Sequence, residues 1–206
     1  KDSKRKCLRA SLAAFLISIC YFSSFAFSNS FEDCPPEGMP INIETQAQLN
    51  SFKNQYPNCR KIQGNLTILN SPDLISLAGL ENITQVDGNV LIVGNEELIS
   101  LVGLNNLTEV GGNVVVSAHP KLETVDLFSL TNATELSISD NPNLTGLAGW
   151  NQNLSLNTLR ILDNSSLSFC NVMTICEYLG QGGFSEIANN AEGCNSIIEV
   201  EMECQS

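Results

Sequence analysis

The sequence predicts a mainly β protein, a β-helix or solenoid of about five to six coils with short helical, disulfide-bonded caps at both ends. Three observations predict it: a unit that occurs twice with a period of 24 residues, inward apolar residues that recur in later units, and six cysteines after residue 28 that all lie outside the repeats. Self-similarity at a fixed period of roughly 20 to 50 residues is typical of stacked repeat folds. The prediction divides the chain into a signal peptide (1–28), an N-terminal cap (29–63), β-helix repeats (64–167) and a C-terminal cap with a final coil (168–206).

The repeat is clearest between Gly64 and Gly111. In the predicted strand of each unit, inward positions alternate with outward ones at a period of two, which gives the strand one buried face. Three apolar edges in each unit fit a triangular β-helix better than a helix-backed horseshoe. The predicted inward residues are the strand pairs Leu66/Ile68, Val90/Ile92, Val114/Val116, Leu136/Ile138 and Leu159/Ile161, then Leu74, Leu98, Leu122, Leu144 and Leu167, and in the first two units Ile83, Val86, Leu107 and Val110.

Glycines open the next units at the predicted corners. Gly88 and the Gly111/Gly112 pair stand there, and we expect these positions to need the permissive backbone that glycine provides.

A polar residue recurs five positions after the start of each predicted strand. Side-chain amides stacked at this turn can bond the backbone of neighbouring units, which predicts a polar ladder. His119 occupies one of these positions and is the only histidine in the chain. A structural role in the ladder outweighs a catalytic or metal-binding role, because no cysteine or second histidine accompanies it. The ladder positions are Ser71, Asn95, His119, Asn141 and Asn164.

Both predicted caps contain short helices. Residues 43–56 are expected to be helical, with Thr45 as N-cap and Ala47, Leu49, Phe52 and Tyr56 on one side. In the C-terminal cap we expect a helix over residues 171–179 and a strand over 184–187. That strand places Asn190 on the ladder position. A closing helix capped by Asn195 or Ser196 follows.

Residues 1–28 have the order of a secretory signal peptide. Five basic residues precede an apolar run that reaches small residues near Ser28. An uncleaved anchor and a lipoprotein modified at Cys20 are the alternatives. Removal of this segment leaves five Lys and Arg against 21 Asp and Glu, a net charge of −16. Such a surface repels nucleic acid and anionic lipid.

The six remaining cysteines form an even set behind a signal peptide, which predicts three disulfides. Their clustering favours a bond between Cys34 and Cys59 and two bonds within the last four, whose pairing stays open. Zinc is the alternative, but the spacing of these cysteines is not typical of zinc sites. No cofactor or metal is expected. The predicted disulfide cysteines are Cys34, Cys59, Cys170, Cys176, Cys194 and Cys204.

The repeated strings Gly-Asn-Leu-x-Ile and Asn-x-x-Leu-x-x-Leu-x-Gly-Leu resemble the receptor L domain family, a leucine-rich-repeat-like module. The closer likeness is to secreted receptor L-domain proteins of Bacteroidota, whose caps are similar to Tyr56-Pro-Asn-Cys59 and Cys170-x5-Cys176 here. The resemblance implies a right-handed β-helix that engages its partner through a sheet face, at the cell surface or as a secreted protein.

The predicted function is therefore non-catalytic recognition or adhesion, with an extracellular protein or glycan as partner and no nucleic acid. Apolar side chains on the outward face of the strands are expected to make a contact patch, unless a linker or a neighbouring domain covers them. A structural spacer or stalk is the first alternative. A polysaccharide-acting enzyme is less favoured, because the carboxylate pairs Asp87/Glu109 and Asp126/Glu135 lack accompanying catalytic groups. The candidate binding residues are Leu69, Leu91, Val93, Val115, Ser117 and Arg160.

Two aspects of the context stay open in the sequence. Contact with a membrane would require an anchor missing from this sequence, and fusion to further domains is an alternative. Seven N-x-S/T sequons occur, which a eukaryotic secretory pathway would glycosylate where they are exposed.

Overall fold

The computed structural model describes residues 33–147 and 149–205, so the predicted signal peptide lies outside the described residues. Short strands dominate this part of the chain, and helices lie near its two ends. The strands are β1 (Ile41–Ile43), β2 (Lys61–Ile62), β3 (Leu66–Leu69), β4 (Gln85–Val86), β5 (Val90–Val93), β6 (Glu109–Val110), β7 (Asn113–Ser117), β8 (Glu135–Ser139), β9 (Thr158–Leu162) and β10 (Phe184–Ala188), and the helices are α1 (Gln46–Gln55), α2 (Met173–Gly180) and α3 (Ile197–Glu203).

The strands form two parallel sheets, so the prediction of a mainly β fold is confirmed. One sheet has seven strands in the order β1-β3-β5-β7-β8-β9-β10, and the other has three in the order β2-β4-β6. Each strand pairs with its equivalent in the next repeat without a register shift, as Leu66 does with Val90 and Val90 with Val114. Equivalent residues therefore stack in columns across the sheets.

The predicted inward residues form one apolar core. All five strand pairs and all five leucines of the second edge have at most 1% of their surface exposed. The third edge is also buried at Ile83, Val86, Leu107 and Val110. Burial of apolar surface at roughly 25 cal/mol per Å² makes this continuous core the main stabilising contribution to the fold.

The N-terminal segment differs from its prediction. Ile43 was expected to begin a helix, but it ends β1, which pairs with β3 at the edge of the larger sheet. The helix begins at Gln46, and Ala47, expected on the buried side, is exposed. Residues Ile41 and Ile43 instead bury their side chains against the first repeat.

Thr45 is the N-cap of α1, as predicted, because its side chain accepts a hydrogen bond from the Gln48 N–H at 3.2 Å. Thr45→Ala removes this acceptor, and we expect it to lower the free energy of unfolding by about 1 kcal/mol. Urea denaturation measures the change. Ser51→Ala in the same helix is the control, since Ser51 donates only to the exposed Ala47 carbonyl; equal losses in both variants would contradict the capping role.

The glycines at the repeat boundaries are needed for space, so the prediction of a permissive backbone there is wrong. Gly88, Gly111 and Gly112 do not have positive φ angles. A Cβ on Gly111 would instead overlap the Asp87 carbonyl oxygen, and one on Gly88 would lie 2.8 Å from the Gly64 carbonyl oxygen. Successive repeats therefore approach too closely at this corner for any side chain.

The C-terminal segment closes the larger sheet with β10 and covers it with two helices. The helix expected over 171–179 runs from Met173 to Gly180, and Ser196 caps α3 by accepting from the Glu199 N–H at 3.2 Å. The three predicted disulfides are present, and the last four cysteines pair in an alternating order. The bonds are Cys34–Cys59, Cys170–Cys194 and Cys176–Cys204.

Candidate binding face of the seven-stranded sheet

The candidate residues lie on the outward face of the larger sheet, in two neighbouring columns. In-register pairing aligns Thr67, Leu91, Val115, Ser137, Arg160 and Glu186 in the first column. Leu69, Val93, Ser117, Ser139, Leu162 and Ala188 form the second column. The first column therefore changes from apolar to polar along the stack of strands, whereas the second is polar at Ser117 and Ser139 and apolar again at Leu162 and Ala188.

Leu69, Leu91, Val93 and Val115 form the apolar patch, which spans β3, β5 and β7. Leu69 pairs with Val93 and Leu91 with Val115, so the four side chains are direct neighbours about 5 Å apart across the strands. Each is partly exposed. They project from the face opposite the buried pairs such as Val90/Ile92, so the patch is an outer surface of the sheet.

Ser117 begins the polar part of the same face. Its hydroxyl lies 2.9 Å from the hydroxyl of Ser139 in the next strand. It also donates to an Asp140 carboxylate oxygen at 3.4 Å. Ser117 thus marks the border of the apolar patch.

Arg160 is separated from the apolar patch by the Ser137 strand and is held between two carboxylates. Its guanidinium donates to Glu135 on one side and to Glu186 on the other, with Nε 3.3 Å from Glu186 Oε2. The hydrogen bond from Arg160 to Glu135 and the negative charge of Glu135 raise the pKa of Arg160. The hydrogen bond to Glu186 and the charge of Glu186 raise it further. Its charge is compensated within the sheet, so it does not offer a free cation to a partner.

The polar ladder fixes the turn that follows each of these strands. The backbone N–H of each ladder residue donates to the side chain of the next one at 2.9 to 3.2 Å, and Asn190 completes the series. The ladder side chains from Asn95 to Asn190 also bond a carbonyl of the preceding repeat's strand at 2.8 to 3.2 Å. Buried backbone groups are thereby satisfied at a turn that repeats in every unit.

His119 takes the place of an asparagine in the ladder. Its Nδ1 lies 3.1 Å from the Asn95 nitrogen, and its Nε2 lies 3.1 Å from the Ile92 carbonyl oxygen. The neutral ring with its proton on Nε2 satisfies both contacts. Burial away from water lowers the pKa of His119 from its ordinary 6.5, against the opposing effect of its hydrogen bonds to Ile92 and Asn95. This position serves the fold.

Three of the four carboxylates considered for catalysis, those of Asp87, Asp126 and Glu135, are engaged in separate structural contacts. Asp87 pairs with Lys61 at 3.0 Å. Asp126 accepts from the Leu101 N–H and the Thr124 hydroxyl, both at 3.0 Å. Residues 33–147 and 149–205 contain no group of three His, Cys, Asp or Glu side chains arranged to hold a metal ion. Over the same residues, no helix is long and apolar enough to cross a membrane.

The sequence analysis does not predict that Arg160 is held between Glu135 and Glu186, although the residues that indicate this contact are present in the sequence. Placing the final strand in register with β9 aligns Glu186 directly with Arg160. The match follows from placing Asn190 on the ladder position after Asn164, because these two residues are 26 positions apart, as are Arg160 and Glu186.

Comparison with known families gives one result. Residues 58–120, which include β2 to β7, match the model of the Receptor L domain family. This match supports the predicted resemblance, over a shorter part of the chain than the motifs cover. No curated protein and no solved structure matches the chain significantly. Receptor L domains are extracellular ligand-binding modules, and three disulfides fit an extracellular protein. The likeness to Bacteroidota proteins stays a prediction.

Proposed function

We propose that this chain is a non-catalytic recognition or adhesion module, secreted or displayed at the cell surface, that binds an extracellular protein or glycan. The apolar patch on the seven-stranded sheet carries this proposal. Leu69, Leu91, Val93 and Val115 are partly exposed neighbours on three adjacent strands of an acidic protein. Contiguous exposed apolar side chains with a polar rim are typical of contact sites.

The proposed architecture is a right-handed β-helix of five to six coils behind a cleaved signal peptide (1–28). Residues 29–63 and 168–206 act as caps around the repeats at 64–167. The in-register stacking of both sheets and the disulfides near each end support this division. Capped ends shield the apolar interior of a stacked repeat fold from water.

The shape of the face favours a macromolecular partner. The patch lies on regular strands, and none of the five best-defined cavities in the described part of the chain is lined by its residues. A small ligand needs a concave site for most of its surface, whereas a protein or an extended glycan can cover a flat sheet. The polar side chains of Ser117 and Ser139 at its border can then hydrogen-bond to the same partner.

Leu91→Glu combined with Val115→Glu tests the proposal. Each carboxylate would have to be desolvated in the contact, so we expect binding to cells or to immobilised extracellular glycans and proteins to fall at least about tenfold. Binding is measured with fluorescently labelled protein. The control is Gln63→Glu with Gln85→Glu, which adds the same charge at exposed or partly exposed positions outside the seven-stranded sheet.

Circular dichroism and thermal unfolding show whether both double variants fold. If the patch variant folds and binds every target as the control does, the patch is not the recognition site. That result would favour the alternative of a structural spacer in a larger surface protein.

A further inference from the structure

A second candidate site is a concave pocket of about 220 Å³ beside the C-terminal cap. Residues 152–156, which precede β9, form one wall, and α2 with the turn after it forms the other. This cap pocket is defined by its polar residues Gln152, Ser155, Glu177 and Gln181 and by the ring of Tyr178. None of these residues belongs to the apolar patch.

The four polar side chains of the cap pocket have no partner within the protein. Over the described residues, Gln152, Ser155, Glu177 and Gln181 form no side-chain hydrogen bond or ion pair. Thr174, at the base of the same pocket, differs because its hydroxyl donates to the Trp150 and Asn151 carbonyls at 3.3 and 3.1 Å. All four residues are exposed, so amide, hydroxyl and carboxylate groups line one concavity where they bond water that a polar ligand can replace.

The wall of the pocket is preorganised. The Tyr178 hydroxyl donates to the Phe184 carbonyl at 2.8 Å, and the ring lies so close over Gly183 that a Cβ there would overlap it. The Cys176–Cys204 disulfide ties the helix that carries Tyr178 and Glu177 to α3. The backbone of this wall and the Tyr178 ring are therefore already in place when a ligand binds, and only the exposed polar side chains lose conformational freedom.

The lining selects a class of ligand. No Lys or Arg lines the pocket and one carboxylate does, so an anionic group is disfavoured. An apolar ligand seated against these solvent-exposed side chains would displace their water without replacing its hydrogen bonds, so the lining favours a polar ligand. The volume is below the roughly 300 Å³ at which drug-sized pockets begin, so the ligand is small. A neutral polyhydroxylated ring fits all three conditions.

We propose that the cap pocket binds one neutral pyranose unit of an extracellular glycan. The inference does not depend on the apolar patch, because the two sites share no residue. A ligand of about a dozen heavy atoms with ordinary efficiency binds with a Kd of about 1 mM. Glu177 and the Gln152 amide would bond the sugar hydroxyls, with the apolar side of the ring against Tyr178 and Leu156.

The experiment is saturation-transfer NMR on the folded protein with methyl α-mannoside, methyl α-glucoside, methyl β-galactoside and N-acetylglucosamine, and with glucuronate as the anionic comparison. We expect at least one neutral probe to bind with a millimolar Kd, and glucuronate to bind at least about fivefold more weakly. Gln152→Ala and Glu177→Gln should each weaken that probe at least about threefold. Gln63→Ala, at another exposed glutamine, should leave it unchanged.

Ser155→Tyr is a third pocket variant, which fills the pocket from an exposed position. It should abolish the saturation-transfer signal of the sugar while the protein stays folded. The proposal is overturned if no neutral probe binds at about ten times the expected Kd, or if binding survives in all three pocket variants. The Leu91→Glu and Val115→Glu double variant should bind the sugar normally. Loss of sugar binding in that variant would place the sugar on the sheet face and overturn the assignment to the cap pocket.

Discussion

Gly103→Ala is expected to lower the free energy of unfolding by at least about 3 kcal/mol. Two costs act at this buried position. Gly103 has a φ of +115°, a conformation that costs a residue with a Cβ about 1 to 3 kcal/mol. A Cβ would also overlap the Leu77 carbonyl oxygen of the preceding repeat. The backbones are fixed there by the hydrogen bond from the Leu77 N–H to the Val102 carbonyl at 2.9 Å, so neither can move away freely.

The equivalent glycine of the preceding repeat separates the two costs. Gly79 has a similar φ of +127°, but its nearest neighbour is the flexible Lys53 side chain at 3.2 Å. Gly79→Ala should therefore introduce the strained φ angle with little steric overlap, and lower the free energy of unfolding by about 1 to 2 kcal/mol. Gly38→Ala, at a φ of +76° in open space, provides a further reference.

Urea denaturation measures the free energy of unfolding of the three variants. Their midpoints can be compared directly if the m-values are unchanged. If Gly103→Ala loses no more stability than Gly79→Ala, close packing between the repeats does not determine the choice of glycine. A loss near zero in all three variants would also contradict the strained φ angles.

The core is predictable because two independent patterns, within one strand and between successive repeats, assign the same residues to the interior. Alternation with a period of two gives a face within one strand, and the period of about 24 residues assigns the same face to the next strand. Ile68 and Ile92 were placed inside for both reasons, and both are fully buried. The polar ladder was predictable in the same way, down to Asn190 in the last repeat.

The sequence around β1 carried a weaker signal. Ile41-Asn42-Ile43 is a strand of only three residues directly before a helix cap, and it is a strand because it pairs with β3. Its own alternation is too short to distinguish a strand from the first residues of a helix. Pairing with a distant segment decides such short elements.

The glycines show a different limit of the sequence. A glycine is compatible with a positive φ or with a close approach of two backbones, and the letter alone does not distinguish them. Gly103 has both features, whereas Gly111 has only the second. The cap pocket was missed for a related reason, because Gln152 and Glu177 meet only through the folding of the cap.

His119→Ala is expected to destabilise the protein by about 3 to 5 kcal/mol at neutral pH. The substitution leaves the Asn95 N–H and the Ile92 carbonyl unpaired in the interior, and each unpaired group costs about 1 to 3 kcal/mol. It also leaves a cavity where the ring was fully buried. His119→Asn should restore most of this stability, since the Asn141 side chain accepts from the His119 N–H and donates to the Val116 carbonyl in the equivalent way.

The same pair of variants tests the pH dependence of the fold. Since the pKa of His119 is lowered in the folded state, the unfolded chain binds more protons below its ordinary value of 6.5. Stability due to the neutral ring is therefore present above pH 6.5 and is lost as the pH falls from there towards the lowered pKa. Protonation would add a hydrogen to Nδ1, where the ring now accepts from Asn95.

We expect the wild-type protein to lose stability between about pH 7 and pH 5 relative to His119→Asn, which lacks the titrating group. Urea denaturation at several pH values gives the difference between the two proteins, and this subtraction removes the carboxylate titrations that they share. A difference that stays constant over this range would contradict the buried neutral imidazole. A difference that grows in favour of the wild type at low pH would mean that the ladder stabilises the charged ring.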